Sequence, residues 1–380
     1  MAIATKTATT TKDWVGVARE LAADFAARAA EHDATDTFVA ENYKALRDAK
    51  LFSAPIPAEL GGGGASYGQH CEIIRTIARG CGSTALAYSM HSHLLQALIW
   101  RHRHNAQPPA EPLLRRIAAE ELVLVSSGGS DWLESSGTLT KQDGTYTFNA
   151  QKIFGSGGPS GDLLLTTGIY EDPEKGPTVL HFGVNLKGPG ITIKDNWRTM
   201  GMRATGSNDI VIENVVVQDA AVSVRRPKGQ WHQFFNVISP IVWPLVLSAY
   251  VGVAEAAREL ALAYAKKTPN DPIQQQLLGE MDTELLASQS MLDQMIALGS
   301  ADFDPTLANA DLTYKRKTIA ARSAVRSVYL ATEIVGGRSF YRSMGLERLF
   351  RDIQGIRFHP MYERRQYLFS GRIALGQDPI

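Results

Sequence analysis

The spacing of apolar residues along this chain changes twice and divides it into three regions. In residues 13–120 apolar residues recur at helical spacing, as in the Ala-rich stretch 17–30 and the amphipathic stretch 42–51. Prolines and four consecutive glycines interrupt this pattern at residues 55–65, because neither residue type continues a helix readily. The pattern predicts an N-terminal helical domain over residues 1–120.

The central region, residues 121–225, contains short β-branched runs separated by turn residues. Asp143-Gly144 lies between two of the runs and is a typical hairpin turn. Short strands joined in this way predict an antiparallel barrel or sandwich. The predicted strands are 122–125, 145–148, 163–167, 178–184, 191–193 and 209–217.

Helical spacing returns in residues 226–380. Leu245–Lys267 and Ala308–Val335 are long enough for a four-helix bundle, and the segment 268–272 is a turn between helices. We therefore expect an α+β protein that is mostly α, with an N-terminal helical domain, a central antiparallel β-barrel or sandwich and a C-terminal four-helix bundle.

Composition favours an enzyme of two or three core-forming units. The chain has 380 residues, of which 44% are hydrophobic and 21% charged, and its formal net charge is zero. This balance argues against nucleic acid as the main partner, because binding nucleic acid needs a basic face. Cys71 and Cys81 are too few for a disulfide framework, so we expect a cytoplasmic location. We also expect no membrane span, since no long uninterrupted apolar run occurs.

The C-terminal region carries the most informative motifs. A long helical run ends at Gly336-Gly337, a shorter run ends at Arg351-Asp352, and a loop with His359, Pro360 and Glu363 follows. Two glycines without Cβ atoms allow a ligand or another chain to approach the backbone closely. The Arg-Asp pair can orient the adjacent loop through charge-assisted hydrogen bonds.

Two motifs in the β region carry small hydroxyl residues and an aromatic residue next to strand ends. The segment 124–131, LeuValSerSerGlyGlySerAsp, offers the small hydroxyl residues Ser126 and Ser130. The segment 149–157, AsnAlaGlnLysIlePheGlySerGly, offers the aromatic Phe154 and the hydroxyl of Ser156.

In type and order these motifs resemble those of the acyl-CoA dehydrogenase superfamily, over nearly the whole chain. The resemblance implies a flavin whose isoalloxazine ring contacts Ser126, Ser130, Phe154 and Ser156. The implied cofactor is FAD. FMN or transiently bound reduced flavin stays open, because Glu333 stands where the family has a Gln that grips the far half of FAD.

The resemblance also implies a homotetramer, because family flavin sites use the Gly-Gly segment, here Gly336 and Gly337, from a neighbouring chain. Two histidine pairs, His91-x-His93 and His102-x-His104, do not predict a metal site. Residues i and i+2 lie on different faces of a helix, and no Cys or carboxylate cluster completes a site.

Catalysis is where the chain departs from the family. The dehydrogenase base is expected eight residues after Asp352, where Pro360 stands, and the alternative family position near 242–243 holds Val242 and Trp243. A base must lie within hydrogen-bond reach of the proton that it removes. Glu363 could serve if the loop is re-spaced, and the adjacent His359 titrates near neutral pH.

Two reactions follow from the resemblance. The leading hypothesis is α,β-dehydrogenation of an acyl-CoA thioester, with an electron-transfer partner as acceptor. The alternative is a two-component flavin-dependent monooxygenase, which takes reduced flavin from a flavin reductase and acts with O2 on a small organic substrate. In that case His91 or His93 could assist the oxygen chemistry, and in either case we expect His91 and Arg351 to contact substrate. A flavin-binding homologue without catalytic activity is a third possibility.

Overall fold

The computed structural model describes residues 12–127 and 129–380. The N-terminal helices pack through a buried face that includes Phe25, Leu46 and Ile74. A capping box between Ser66 and Gln69 fixes the start of the third helix. The helices are α1 (Trp14–Thr35), α2 (Ala40–Asp48), α3 (Tyr67–Gly80), α4 (Gly82–Arg103) and α5 (Glu111–Glu120).

The described central residues form one sheet of eight strands. The strands are β1 (Leu124–Ser126), β2 (Thr138–Gln142), β3 (Thr145–Lys152), β4 (Leu163–Asp172), β5 (Gly176–Asn185), β6 (Ile191–Ile193), β7 (Ile210–Gln218) and β8 (Val224–Pro227). Their order is β6-β7-β3-β2-β4-β5-β8, and β1 pairs with β4.

The sheet is mixed rather than wholly antiparallel. The pairs β1·β4 and β2·β4 are parallel, whereas every other pair in the described sheet is antiparallel. The predicted hairpin turn at Asp143-Gly144 is confirmed, because both residues have the positive φ that such a turn requires, but the strand that it joins to β3 is β2, which is not among the predicted strands. The pairs β1·β4 and β2·β4 are parallel because the chain crosses over between the paired strands and does not turn back in a hairpin.

The C-terminal region is helical, with α6 (Gln233–Ala265), α7 (Pro272–Ser300), α8 (Leu307–Val335), α9 (Leu346–Ile353) and α10 (Glu363–Ala374). The first of these begins twelve residues before the predicted start at Leu245 and includes Pro240 and Pro244. Prolines usually end a helix, but here burial of the surrounding apolar side chains outweighs the backbone hydrogen bonds they remove. The predicted mostly helical fold with a central sheet is confirmed.

Helix α6 is the centre of the protein. It packs against α3, α4, α7, α8 and α9. An 18-residue window of α6 has a mean hydropathy of 1.9, enough by composition to cross a membrane, yet 83% of the window is buried inside the protein. We therefore interpret α6 as a core helix, which explains why it is apolar on every face.

Candidate active site

A cavity of about 810 Å³ lies where the three regions meet. Its walls come from α4, the segment 106–110, β1 and the loop after it, β4, β5, α6 and the loop before α10. Aromatic side chains form much of the α6 side: Trp132 lies 5.5 Å from Phe235, and Tyr314 lies 6.0 Å from Trp243, between ring centroids. A junction cavity of this size and lining is typical of a small-molecule site.

The sequence motifs at Ser126 and His359 meet in this cavity. Ser126 and Gly129 line it from the β domain, and His359 and Pro360 line it from the C-terminal loop. The two loops touch, because a Cβ on Gly129 would lie 2.6 Å from the ring of Pro360. The position at which the family's dehydrogenases hold their base therefore faces the Ser126 loop, but it carries a side chain without any titratable group.

His359 is a partly buried, neutral imidazole. Its Nε2 lies 2.7 Å from the Tyr250 hydroxyl. Burial, and after it the charge of Lys317, lowers the pKa of His359 to about 3. Burial holds the pKa of Tyr250 well above its usual value, so the hydroxyl keeps its proton. We assign the hydroxyl as donor to Nε2, which leaves the His359 proton on Nδ1.

Of the two histidines in the SerMetHisSerHis segment, His93 lines the cavity and His91 does not. His91 is fully buried, with Nε2 donating to the Phe52 carbonyl at 2.8 Å and Nδ1 accepting from the Leu124 N–H at 3.0 Å. The second of these hydrogen bonds holds the start of β1 against α4. His93 donates from Nδ1 to the Ser89 carbonyl at 3.2 Å, and burial lowers its pKa to about 4.

Asp131 is the carboxylate of the cavity wall, and it is neutralised. Its Oδ2 lies 2.5 Å from Nζ of Lys152, and its Oδ1 accepts from the Ser136 hydroxyl at 2.6 Å. Both residues are buried, and desolvation lowers the pKa of Lys152. A buried pair with all its hydrogen bonds made fixes the loop after β1 but is not available as a base.

Phe154 and Ser156 follow the end of β3, and neither is among the described residues that line the cavity. Phe154 is half exposed, has a φ of +60° and lies edge-on to Trp197, with 5.9 Å between the ring centroids. The Ser156 hydroxyl is buried 2.7 Å from that of Ser207. The turn after Ser156 packs on β1, because a Cβ on Gly161 would lie 2.5 Å from Val125.

Glu363 lies outside the cavity. It is the first residue of α10 and lines a separate surface cleft, where it accepts from the Tyr367 hydroxyl at 2.6 Å and lies 3.9 Å from Arg322. His359 lines the cavity and not this cleft. The structure therefore does not bring the two predicted catalytic residues together.

Arg351 also lies away from the cavity. Its guanidinium makes a two-pronged ion pair with Asp33 of α1 and donates to the Met200 carbonyl at 2.9 Å. The neighbouring Asp352 is buried, and its carboxylate accepts from the Met202 N–H. The pair joins α9 to both other regions, so the expected loop-orienting role fits its contacts, whereas the expected substrate contact does not fit its place in this chain.

The Gly-Gly segment and Ser130 complete the predicted set. Gly336 has a φ of +64° and ends α8, and a Cβ on either Gly336 or Gly337 would meet nothing within 4 Å. Their surface is open in this chain, which leaves the expected contact from a neighbouring chain as a prediction. The side chain of Ser130 lies outside the described residues.

The residue types at these motifs fit a flavin ring. Phe154 and Trp197 offer partly exposed aromatic surface outside the cavity lining, and Ser126 lines the cavity itself. Hydroxyls and backbone groups of this kind match the nitrogen and oxygen edge of an isoalloxazine.

Several residues that line the cavity or contact its His359 loop were missed by sequence reasoning. Tyr250, Tyr314 and Lys317 lie on helices that read as ordinary bundle helices, and their role depends on tertiary contacts. Trp243 was noted only as a position without a base.

Comparison with known proteins agrees with this arrangement. Residues 10–121 match the acyl-CoA dehydrogenase N-terminal domain, and residues 244–359 match the acyl-CoA dehydrogenase C-terminal domain. A Bacillus subtilis (strain 168) protein, YdbM, named as a candidate acyl-CoA dehydrogenase, is 30% identical over 92% of this chain and 93% of its own length.

Two further similarities are to an oxygenase and to a flavin complex. The dibenzothiophene monooxygenase of Mycolicibacterium goodii is 27% identical over 96% of this chain and 94% of its own length. The X-ray structure of KijD3 in complex with FMN and dTDP-3-amino-2,3,6-trideoxy-4-keto-3-methyl-D-glucose has a TM-score of 0.85 and 28% identity, and covers 97% of this chain and 95% of that one. The chain belongs to the acyl-CoA dehydrogenase family of flavin-dependent enzymes.

Proposed function

We propose that this protein is the oxygenase component of a two-component flavin-dependent monooxygenase. The observation that carries the proposal is the lack of a free carboxylate in the cavity. Among the described residues that line it, Asp131 is the one carboxylate, and Lys152 and Ser136 occupy its two oxygens. Pro360 occupies the place of the dehydrogenase base. Our leading expectation, thioester dehydrogenation, is therefore less well supported than the alternative.

The imidazoles of the cavity do not replace the missing base. A general base is most effective when its pKa lies near the working pH. The pKa of His359 is lowered to about 3 and that of His93 to about 4, in both cases first by burial. These side chains are weak bases for an α-proton, but as neutral imidazoles they can donate and accept hydrogen bonds without bringing a charge into the cavity.

The similar proteins also support a monooxygenase function. A dibenzothiophene monooxygenase aligns along almost the whole chain, and KijD3, of similar fold, was solved with FMN bound. We infer that FMN, delivered reduced by a separate flavin reductase, is the cofactor of this chain. Glu333, which stands where the family grips the far half of FAD, favours the shorter flavin.

In the proposed mechanism the flavin, when bound, supplies electrons and reacts with O2. Ser126, Phe154 and Ser156 are the residues that would hold its ring. The aromatic wall around Trp243 and Tyr314 binds the organic substrate and excludes water. His359, held by Tyr250, presents its Nδ1 proton to the reacting oxygen and stays uncharged. We further propose that the active form is a homotetramer, with the Gly336-Gly337 surface covered by a neighbouring chain.

The test is a comparison of two half-reactions. With FMN, NADH, an unrelated flavin reductase and O2, the protein should convert a member of a panel of small sulfur, nitrogen and indole heterocycles to an oxygenated product seen by mass spectrometry. Under anaerobic conditions no acyl-CoA should bleach protein loaded with FAD or FMN. Catalase and superoxide dismutase exclude free peroxide and superoxide as the oxidants.

Bleaching of the bound flavin by any acyl-CoA, with formation of the 2-enoyl product, would overturn the proposal and restore the dehydrogenase reading. Protein that binds neither oxidised nor reduced flavin would exclude both reactions.

A further inference from the structure

A buried lysine lies directly behind the active-site loop. Lys317 of α8 is 3% exposed, and its Nζ donates to the carbonyl of His359 at 3.0 Å and to that of Met361 at 2.8 Å. The same nitrogen lies 4.6 Å from the centre of the Trp243 ring. One amine thus contacts the loop on both sides of Pro360 and also the aromatic wall of the cavity.

The amine has no ion-pair partner among the described residues. Its pKa is shifted by burial alone. The His359 imidazole faces it on the cavity side, and Arg322, Glu363 and Tyr367 line the same surface cleft as Lys317. Five carboxylates on α8 itself and on the four helices packed against it are engaged elsewhere. They are Asp311 with Lys315, Glu255 of α6 with Arg75 and Arg79, Glu280 of α7 with Arg326, Asp352 of α9 with the Met202 N–H, and Glu363 of α10 with Arg322.

Burying an ammonium group without an ion-pair partner costs desolvation free energy. A contribution to stability alone therefore does not account for a lysine at this position. Its hydrogen bonds go to main-chain carbonyls rather than to a carboxylate, and charge-assisted bonds are stronger than those between neutral groups. The part of the chain that it restrains is the segment that presents His359 and Pro360 to the cavity.

We propose that Lys317 is a positioning residue for the site: its charged amine holds the backbone of the His359–Met361 segment and keeps His359 directed into the cavity as a neutral side chain. The positive charge opposes protonation of the nearby imidazole, and the hydrogen bonds fix the loop. This role goes beyond the proposed function, because it concerns the geometry of the loop whatever the reaction is.

Burial lowers the pKa of Lys317 to about 7, against 10.5 for an ordinary lysine. The charged form is therefore present below about pH 7 and is lost as the pH rises through that value. A neutral amine keeps two N–H groups but loses the charge that strengthens their bonds and the attraction to the Trp243 ring. The loop should be held most firmly on the acid side of neutrality.

The test uses Lys317→Met, which keeps the length and removes the donors and the charge, and Lys315→Met as matched control. Lys315 lies on the same helix, is half exposed and pairs with Asp311. In the full-length protein, amide hydrogen exchange of peptides covering residues 356–364 should rise about 10-fold or more in Lys317→Met and stay unchanged in Lys315→Met. Equal protection in parent and Lys317→Met would overturn the proposal.

The pH dependence of kcat is a second readout, which a merely structural role of Lys317 would not change. This experiment rests on the proposed function, because it measures oxygenation. With the coupled reductase assay, kcat of the parent should fall as the pH rises through about 7. Lys317→Met should have a kcat lower by roughly 10-fold to 100-fold at pH 6.5, without that pH step, and a KM within about threefold of the parent. The same step in Lys317→Met would contradict the proposal.

The two experiments fail independently. Absence of any oxygenation by the parent removes the proposed function, while the exchange result still decides the role of Lys317. If Lys317→Met does not fold by circular dichroism, Lys317→Gln, which retains an uncharged donor, replaces it. The exchange rate of residues 356–364 in Lys317→Gln should lie between the rate in the parent and the rate of a fully exposed loop. Protection equal to that of the parent would exclude a requirement for the charge.

Discussion

The Tyr250 hydroxyl lies 2.7 Å from Nε2 of His359, across 109 positions of sequence. The bond joins α6 to the loop before α10 and determines which imidazole nitrogen carries the proton. Since neither group is charged, the contact orients His359 without adding charge to the cavity.

Tyr250→Phe should lower kcat by roughly 2-fold to 10-fold, because one neutral hydrogen bond contributes about 0.5–1.5 kcal/mol. The fold should survive, since the ring and its packing are unchanged. Steady-state oxygenation with a reductase measures the effect. Tyr329→Phe, at an exposed tyrosine of α8, should leave kcat unchanged.

Substitutions of His359 and Glu363, the two residues first predicted to be catalytic, should differ strongly in their effect on the oxygenation rate. His359→Ala should lower the oxygenation rate by about 10²–10⁴-fold, the range expected when a proton-donating group is removed. Glu363→Gln should be nearly silent, because Glu363 lies in a separate cleft bound to Tyr367. Single-turnover kinetics on both variants checks this, and a large loss in Glu363→Gln with an intact His359→Ala would reverse our assignment.

Phe154→Ala should weaken flavin binding by about 1–3 kcal/mol, since it removes an aromatic surface predicted to pack on the ring. Fluorescence titration with FMN measures the dissociation constant. Val216→Ala, an exposed apolar residue on β7, is the control and should change nothing. Unchanged affinity and an unshifted flavin spectrum in Phe154→Ala would count against the placement of the ring.

Acid should destabilise the protein through its buried histidines, and His91 provides a clean test. Burial lowers its pKa to about 4 in the folded chain, below the ordinary 6.5. The unfolded chain therefore binds more protons between these values, and the free energy of unfolding falls as the pH drops through this window. The contribution reaches roughly 3 kcal/mol for this residue.

His91→Gln can keep both hydrogen bonds of the imidazole but does not titrate. Urea unfolding at several values between pH 7 and pH 4 should show a weaker pH dependence in this variant than in the parent. Identical slopes for the two proteins would mean that His91 does not remain neutral in the folded state.

Assembly can be tested at the Gly-Gly surface. Light scattering at micromolar concentration should give a tetramer for the parent. Gly337→Glu should shift it to smaller species without unfolding the chain, because a side chain there meets only open space within one protomer. Val216→Glu places the same charge on the β domain and should leave the mass unchanged. A monomeric parent that binds flavin would exclude the expected assembly.

Local patterns predicted much of the fold. The Asp143-Gly144 turn and the long strands followed from spacing and turn chemistry. The strand β2, ThrLeuThrLysGln, and the short β8 were missed because their side chains are mostly polar or exposed. The early start of α6 was missed. Pro240 and Pro244 are of a residue type that usually interrupts helices, and only burial on all sides makes them tolerable there.

The site was predictable only where residues lie within one motif. His359 and Ser126 were found from their motifs, and the structure brings both to one cavity. The choice between His91 and His93 depends on how α4 is rotated about its axis, which a helix apolar on most sides does not reveal. Tyr250 and Lys317 reach the loop from other helices, so no local pattern could have identified them.

The position of α6 in the chain has a consequence for synthesis. The helix emerges from the ribosome after α3 and α4 but before α7 and α8, which cover its remaining sides. Until more than 300 residues have been made, a segment with the apolar character of a membrane span is only partly shielded. The nascent protein therefore depends on the early N-terminal helices, or on a chaperone, to keep α6 from aggregating or being delivered to a bilayer.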